Sequence, residues 1–308
     1  MDLLFRNVEL KDKDTLTDLF RQYPSRSCDR SFANIYLWSR HYHVTMTEIE
    51  GAYVFRSLEE DGMNPSFAYP LGSPENCKKA IERLMEWCEE KGLPFTMYAV
   101  TSEQFEELDK MFPGKFEIEY NRDVADYVYD QEKLATLGGR KYHAKRNYIN
   151  RFIEIYPDWS YETITDDNVE ECFQMALAWR RQNGCEGDES KRAEMCVALN
   201  ALRLLRELRL VGGLIRVNGN VVAFTVGERQ AGDTLVVHIE KAYADVAGAY
   251  PLINQQFVIH EGAGCPYINR EDDTGAEGLR IAKKSYHPVF MVEKGFVTIK
   301  HTQGEEQL

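Results

Sequence analysis

The chain has 308 residues, 44% hydrophobic and 12% aromatic, which are values of a globular protein and exclude a disordered one. That length suits two domains, and no run approaches the ~18 apolar residues of a membrane span. The net charge of −13 is uneven, with −10 on residues 1–130 and −3 on residues 131–308, so an anionic partner is expected on the C-terminal half. The seven cysteines are odd in number and form no C-x-x-C pair, which argues against a disulfide framework and against a zinc site. Charge follows Met1 at once, with no apolar signal core, so a cytoplasmic protein is expected.

Taken in order, the periodicity predicts a strand over 3–7, helices over 12–22 and 31–38, and a hairpin over 43–57 turning at Glu50-Gly51. A strand over 67–70, a helix over 74–91, a strand over 95–100, a helix over 102–111 and a strand over 116–120 follow. Residues 127–129 read as a strand crossing to the second half. Residues 133–156 read as helical with a break at Gly138-Gly139, and 159–164 as a strand. Thr165 is expected to cap the next helix, and 189–206 to form another. Strands over 212–217 and 220–227 flank Asn218-Gly219, the strongest short-range hairpin signal. A strand over 234–242, a helix over 247–260, a short strand near 267 and a basic helix complete the chain, and residues 304–308 are expected to fray. Hairpin, strand, glycine and helix thus occur once in each half, which favours two copies of one fold, 1–130 and 131–308.

Three stretches carry candidate chemistry. Residues 140–151 hold five positive charges and no negative one. They are either a solvated face or an anion-binding face, since Arg and Asn suit phosphate oxygens. Glu240 and His238 point to one face of an otherwise apolar strand. An ionised carboxylate there needs a cationic partner, such as Lys241 or Arg270, or else serves as a general base. His238 reads as a satisfied core histidine. The turn 245–250 precedes a helix, whose N-terminus favours phosphate, but its lone Gly248 is a weak signal. Thr274-Gly275-Ala276-Glu277 reads as a capping box for the basic helix, which carries Arg280 and Lys284 behind the polar group Asn269, Arg270, Glu271, Asp272.

The block Lys141-Tyr142-His143-Ala144-Lys145-Arg146-Asn147, with Asn150-Arg151-Phe152, is one part of a pattern. The tail Tyr267 to Asp272, with Gly278-Leu279-Arg280 and Lys283-Lys284-Ser285-Tyr286, is the other. Together they resemble a bacterial family similar to the C-terminal catalytic domain of phosphatidylglycerol lysyltransferase. The resemblance covers nearly the whole chain. It implies an α+β fold of two tandem GNAT-like (acyl-CoA N-acyltransferase) domains, each a mixed sheet flanked by helices, with the second domain catalytic. It also implies transfer of an aminoacyl group from aminoacyl-tRNA to an amine or hydroxyl acceptor, as in Fem-type transferases. The chain departs from the synthase in lacking a transmembrane region, and from acetyl-CoA enzymes in lacking their pyrophosphate loop.

On this reading Glu240 is the expected base, and Tyr250 or Tyr286 the proton donor. Lys141, Lys145, Arg146, Asn147, Arg151, Asn269, Arg270, Arg280 and Lys284 are the expected substrate contacts. No metal and no tightly bound cofactor is expected, and tRNA is the expected partner. An acetyl-CoA-dependent N-acetyltransferase and a non-catalytic nucleotide- or RNA-binding protein remain the alternatives.

Overall fold

A computed structural model describes residues 2–58, 63–230 and 232–300. The chain begins β1 (Arg6–Asn7), α1 (Lys13–Gln22), α2 (Phe32–Trp38), β2 (Thr45–Ile49), β3 (Ala52–Leu58) and β4 (Pro65–Phe67). It continues α3 (Pro74–Lys91), β5 (Thr96–Thr101), α4 (Ser102–Met111) and β6 (Phe116–Tyr120). Next come β7 (Asp126–Asp130), α5 (Gln131–Thr136), α6 (His143–Ile155), β8 (Ser160–Thr163), α7 (Val169–Gln182) and α8 (Glu189–Arg203). The last elements are β9 (Val211–Val217), β10 (Asn220–Gln230), β11 (Thr234–Ala242), α9 (Ala249–Glu261), β12 (Tyr267–Asn269), α10 (Glu277–Lys284), β13 (Phe290–Val292) and β14 (Lys294–Ile299).

Two compact units result. One holds the described residues up to Asp126, with 272–276 and those from Val292 onward; the other holds Tyr127–Glu271 and Glu277–Met291. The first sheet runs β1-β2-β3-β4-β5-β14-β6, and the second β8-β9-β10-β11-β12-β7-β13. These orders correspond strand for strand. In each sheet the fourth and fifth strands pair in parallel, Ser66 beside Thr96 in the first and Val236 beside Asn269 in the second. The fold is therefore two α+β units of like strand order, each a mixed sheet flanked by helices. Sequence order assigns the tail to the second half. Instead β14 pairs with β5 and β6 in the first sheet, a non-local pairing that local pattern does not announce.

Local chemistry explains the elements. Ser73 caps α3 by accepting the Asn76 N–H at 3.2 Å, Pro74 opens it, and Gly92 closes it in the left-handed region. Glu50-Gly51 and Asn218-Gly219 both have positive φ, as tight hairpin turns require. In the second unit, Leu252, Ile253, Phe257 and Val258 of α9 pack with Tyr127, Tyr129, Phe152, Leu235 and Val237 into one core.

Several local expectations fail for identifiable reasons. The strand at 3–7 shortens to Arg6–Asn7. The break expected at Gly138-Gly139 does form: Leu137 takes φ 48° and ends α5, and α6 begins at His143. Thr165 does not cap α7, which starts four residues later; its N–H instead bonds Asn168 Oδ1 at 2.7 Å. The capping box at Thr274 does not form. Thr274 and Gly275 have positive φ, and their N–H groups donate to Asp272 Oδ1 at 3.1 Å and Asp273 Oδ1 at 3.0 Å. The residues expected to fray lie outside those described. Among the described residues, no helix is long and apolar enough to cross a membrane.

Candidate functional site

β11 and β12 pair only over Thr234–Val236 and Tyr267–Asn269, after which β12 ends and β11 runs on to Ala242. Where parallel neighbours part, a sheet opens at their carboxyl ends. Alternation places His238 and Glu240 on one face of β11 at that opening. Glu240 Oε1 accepts a bond from Arg270 Nη2 at 2.8 Å, and its Oε2 accepts one from Asn254 Nδ2 at 3.1 Å. The Arg270 and Glu240 side chains are only 11% and 13% exposed, so the ion pair is largely shielded from water.

Aromatic rings enclose the pair. The Arg270 guanidinium lies 4.7 Å from the Tyr286 ring centroid and 5.8 Å from that of Tyr129. Lys145 Nζ stands 4.0 Å from the Tyr286 centroid. Burial pushes the Tyr286 and Tyr129 phenols well up, against the opposing charge of Arg270. Burial, and then Arg270, lower the Lys145 amine, while Glu240 opposes them. Two atoms of this cluster, Arg270 Nη1 and Asn254 Oδ1, are buried with no hydrogen-bond partner. The Tyr286 hydroxyl also stands close enough to accept a hydrogen bond from the Arg270 guanidinium and so supports its charge. Native proteins leave few such atoms, and those left mark strain or function.

Lys145 also lines a cleft of about 210 Å³ with Tyr148, Tyr243, Gly248 and Tyr250. Gly248 has φ 96°, and a Cβ there would stand 2.6 Å from the Tyr148 carbonyl oxygen and 2.9 Å from Phe152 Cβ. The glycine thus lets α6 approach the start of α9, which accounts for it without a phosphate. Tyr250 is 37% exposed. Burial still raises its phenol, against a backbone hydrogen bond at Ala242 that lowers it.

His238 occupies the same face of β11. Its Nδ1 lies 2.7 Å from Glu271 Oε1 and its Nε2 2.9 Å from Glu228 Oε1. Burial alone would lower its pKa; the two carboxylate bonds outweigh that and push it up to about 10. Among the described residues, no group of three or more His, Cys, Asp or Glu is placed to hold a metal.

Of the residues singled out in the sequence, Glu240, Arg270, Lys145 and Tyr286 come together, and Tyr250 shares the cleft with Lys145. Others are placed for structure. Arg146 Nη1 donates to the Leu137 and Gly139 carbonyls, the latter at 2.8 Å, and so holds the α5–α6 connection. Asn147 bonds His143 one turn away at 3.1 Å. Asn269 is fully buried, and its Oδ1 accepts the Glu271 N–H at 2.7 Å. Lys141 Nζ lies 5.2 Å from the Tyr142 ring, and Arg151 and Lys284 are exposed. Arg280 is half-buried on α10. Sequence reasoning missed Asn254, Tyr129 and the buried Lys283, whose Nζ donates to the Arg270 carbonyl at 2.6 Å. The available signal for Asn254 was one amide inside the buried stripe of α9.

Residues 20–296 match the family profile described as phosphatidylglycerol lysyltransferase, C-terminal. A crystal structure of a conserved protein of unknown function from Bacteroides thetaiotaomicron VPI-5482 is 36% identical, covers 97% of this chain and 100% of that one, and gives a TM-score of 0.90. The C-terminal domain of a candidate lysylphosphatidylglycerol synthetase from Agrobacterium fabrum has the same fold, at 14% identity and TM-score 0.68, covering 94% of this chain and 91% of that one. An uncharacterised protein of Mycoplasmoides gallisepticum is 23% identical over 193 residues, which is 60% of this chain. The chain spans about 60% of the length of that curated relative.

Proposed function

The chain belongs to the phosphatidylglycerol lysyltransferase C-terminal family, and we propose that it is a GNAT-like acyltransferase that moves an aminoacyl group from aminoacyl-tRNA to an amine or hydroxyl acceptor. The observation that carries this reading is Arg270, a buried cation fixed by Glu240, with Nη1 left without a partner at the opening of the sheet. In the transfer, the acceptor attacks the ester carbonyl. A bond from its nitrogen or oxygen to that carbon forms, the ester C–O bond breaks, and a proton passes from the acceptor to the leaving oxygen. Arg270 Nη1 supplies a preorganised donor for the negative charge that develops on the carbonyl oxygen. Glu240 holds Arg270 through Oε1. Its Oε2, engaged by Asn254 alone, is the oxygen from which it acts as base. Tyr286 or Tyr250, both held protonated by burial, gives a proton to the leaving oxygen.

Lys141, Lys145 and Arg151 at the start of and along α6 are the proposed contacts to donor phosphates. The contrast between −3 on residues 131–308 and −10 on the rest supports a polyanionic donor on this half. An acyl-CoA donor is the second reading, favoured by the cleft at the N-terminus of α9. Titration with aminoacyl-tRNA and with acetyl-CoA, at about 50 and 200 mM salt, separates them. With three phosphates neutralised, log K for tRNA should fall by about 2–3 per tenfold rise in salt. Salt-insensitive acetyl-CoA binding without tRNA binding would replace the first reading by the second. Binding of neither would overturn both.

A further inference from the structure

Nothing in the transfer scheme uses His238, yet it is among the most constrained groups of the second unit. It is 3% exposed and carries a carboxylate at each ring nitrogen. A neutral imidazole has one N–H, so one of its two contacts would set a lone pair against a carboxylate. The imidazolium, which donates at both nitrogens, satisfies both carboxylates at once. The charged groups around it are Glu228 on β10, Glu271 beyond β12 and, two residues along its own strand, Glu240 with its partner Arg270.

Glu271 is itself unusual, because it takes φ 56°, in the left-handed region, without being glycine. Such a conformation persists only where the surroundings over-determine it. Here they do. Its N–H bonds Asn269 Oδ1 at 2.7 Å, its carbonyl accepts the Tyr127 N–H at 3.0 Å, and its carboxylate is held by His238. The preceding Arg270 donates its N–H to the Tyr127 carbonyl at 3.0 Å and accepts from Lys283 at 2.6 Å. The backbone that carries the Arg270 guanidinium is thus tied to β7 and α10, and through His238 to β10 and β11.

We propose that the Glu228–His238–Glu271 bridge is a positioning device: the imidazolium pins Glu271 in its left-handed turn and so fixes where Arg270 meets Glu240. His238 acts through Glu271 and touches no reacting atom. The effect on catalysis rests on the transfer reading above; the structural claim does not.

The test has two arms on the full chain. In the first, ¹⁵N-histidine NMR follows His238, assigned by its loss in His238→Gln, and amide hydrogen exchange follows residues 270 and 271. Both ring nitrogens should stay protonated from about pH 6 to 9, where an ordinary histidine titrates near 6.5. Glu228→Gln keeps the shape but removes one carboxylate, and serves if His238→Gln does not fold. It should bring the His238 titration into that window and speed exchange at Arg270 and Glu271 about tenfold or more, with the amides of α3 in the first unit unchanged. In the second arm, Glu228→Gln should lower kcat about 10–100-fold with the donor KM unchanged, and make kcat pH-dependent where the wild type is flat. A wild-type His238 that titrates near 6.5 overturns the proposal, as does unaltered exchange at residues 270 and 271 in Glu228→Gln. A wild type without transfer activity would sink the transfer reading and leave the first arm to decide the bridge.

Discussion

Replacing Arg270 by Met removes the charge that compensates Glu240. Glu240 is 13% exposed, so its carboxylate would remain in a site that water reaches poorly. Breaking a buried pair from one side costs about 3–5 kcal/mol. The lower end applies here, because the Asn254 amide still donates to Oε2 at 3.1 Å; we expect about 3 kcal/mol. Glu240→Gln alone strands the guanidinium, whose Nη1 already lacks a partner, and should cost a similar amount. The double variant removes both charges, and replacing an ion pair as a whole is often near neutral. With each single variant costing about 3 kcal/mol and the double little, the coupling should exceed about 3 kcal/mol, the upper end for residues in contact. Urea unfolding of the four proteins, with coincidence of fluorescence and circular dichroism checked first, measures it. Costs that simply add, with coupling below about 0.5 kcal/mol, would show that the two charges do not depend on each other and refute the reasoning.

Gly248→Ala should destabilise the second unit by about 1–3 kcal/mol, since it adds a Cβ 2.6 Å from the Tyr148 carbonyl at φ 96°; thermal unfolding reads this directly. In the first unit, Lys294 Nζ is 1% exposed and bonds Asp126 at 2.7 Å and Asp29 at 2.6 Å. Lys294→Met should cost about 3–5 kcal/mol by urea titration, and Lys294→Met with Asp126→Asn distinctly less. The His238 pKa is raised on folding from 6.5 to about 10. Its contribution is then full below the unfolded value and is lost as pH rises towards the folded one. The stability advantage of the wild type over Glu228→Gln should accordingly shrink as pH is raised from 7 to about 10 in parallel melts.

Local signals were legible where they acted locally. The Ser73-Pro74 start and Gly92 stop of α3, the turns at Glu50-Gly51 and Asn218-Gly219, and the whole of β11 follow from residues within a few positions of each other. So does the shared face of His238 and Glu240, and Arg270 was already a named partner. What the pattern hides is non-local. β13 and β14 were not foreseen, although Phe290 to Val292 and Phe296 to Ile299 are strand-forming runs, because β14 finds its partners nearly 200 residues back. Thr274 satisfies the spacing of a capping box, yet Asp272 and Asp273 win its N–H and that of Gly275. Lys283 and Lys284 stand side by side in the sequence motif, and only the bond of Lys283 to the Arg270 carbonyl tells them apart. Arg146 looks like a phosphate contact by charge, but two carbonyls of the α5–α6 turn already hold it.

The central claim is that Arg270, held by Glu240, serves aminoacyl transfer. Its most direct test is release of label from aminoacyl-tRNA carrying a radiolabelled amino acid, in the presence of a panel of amine and hydroxyl acceptors. The wild type should form labelled product with at least one acceptor. Arg270→Lys, which keeps the charge but loses the planar fork, should slow the transfer by about 10²–10³-fold, as for a lost oxyanion donor. Equal rates in Arg270→Lys and the wild type, or release no faster than hydrolysis in buffer with every acceptor, would contradict the account.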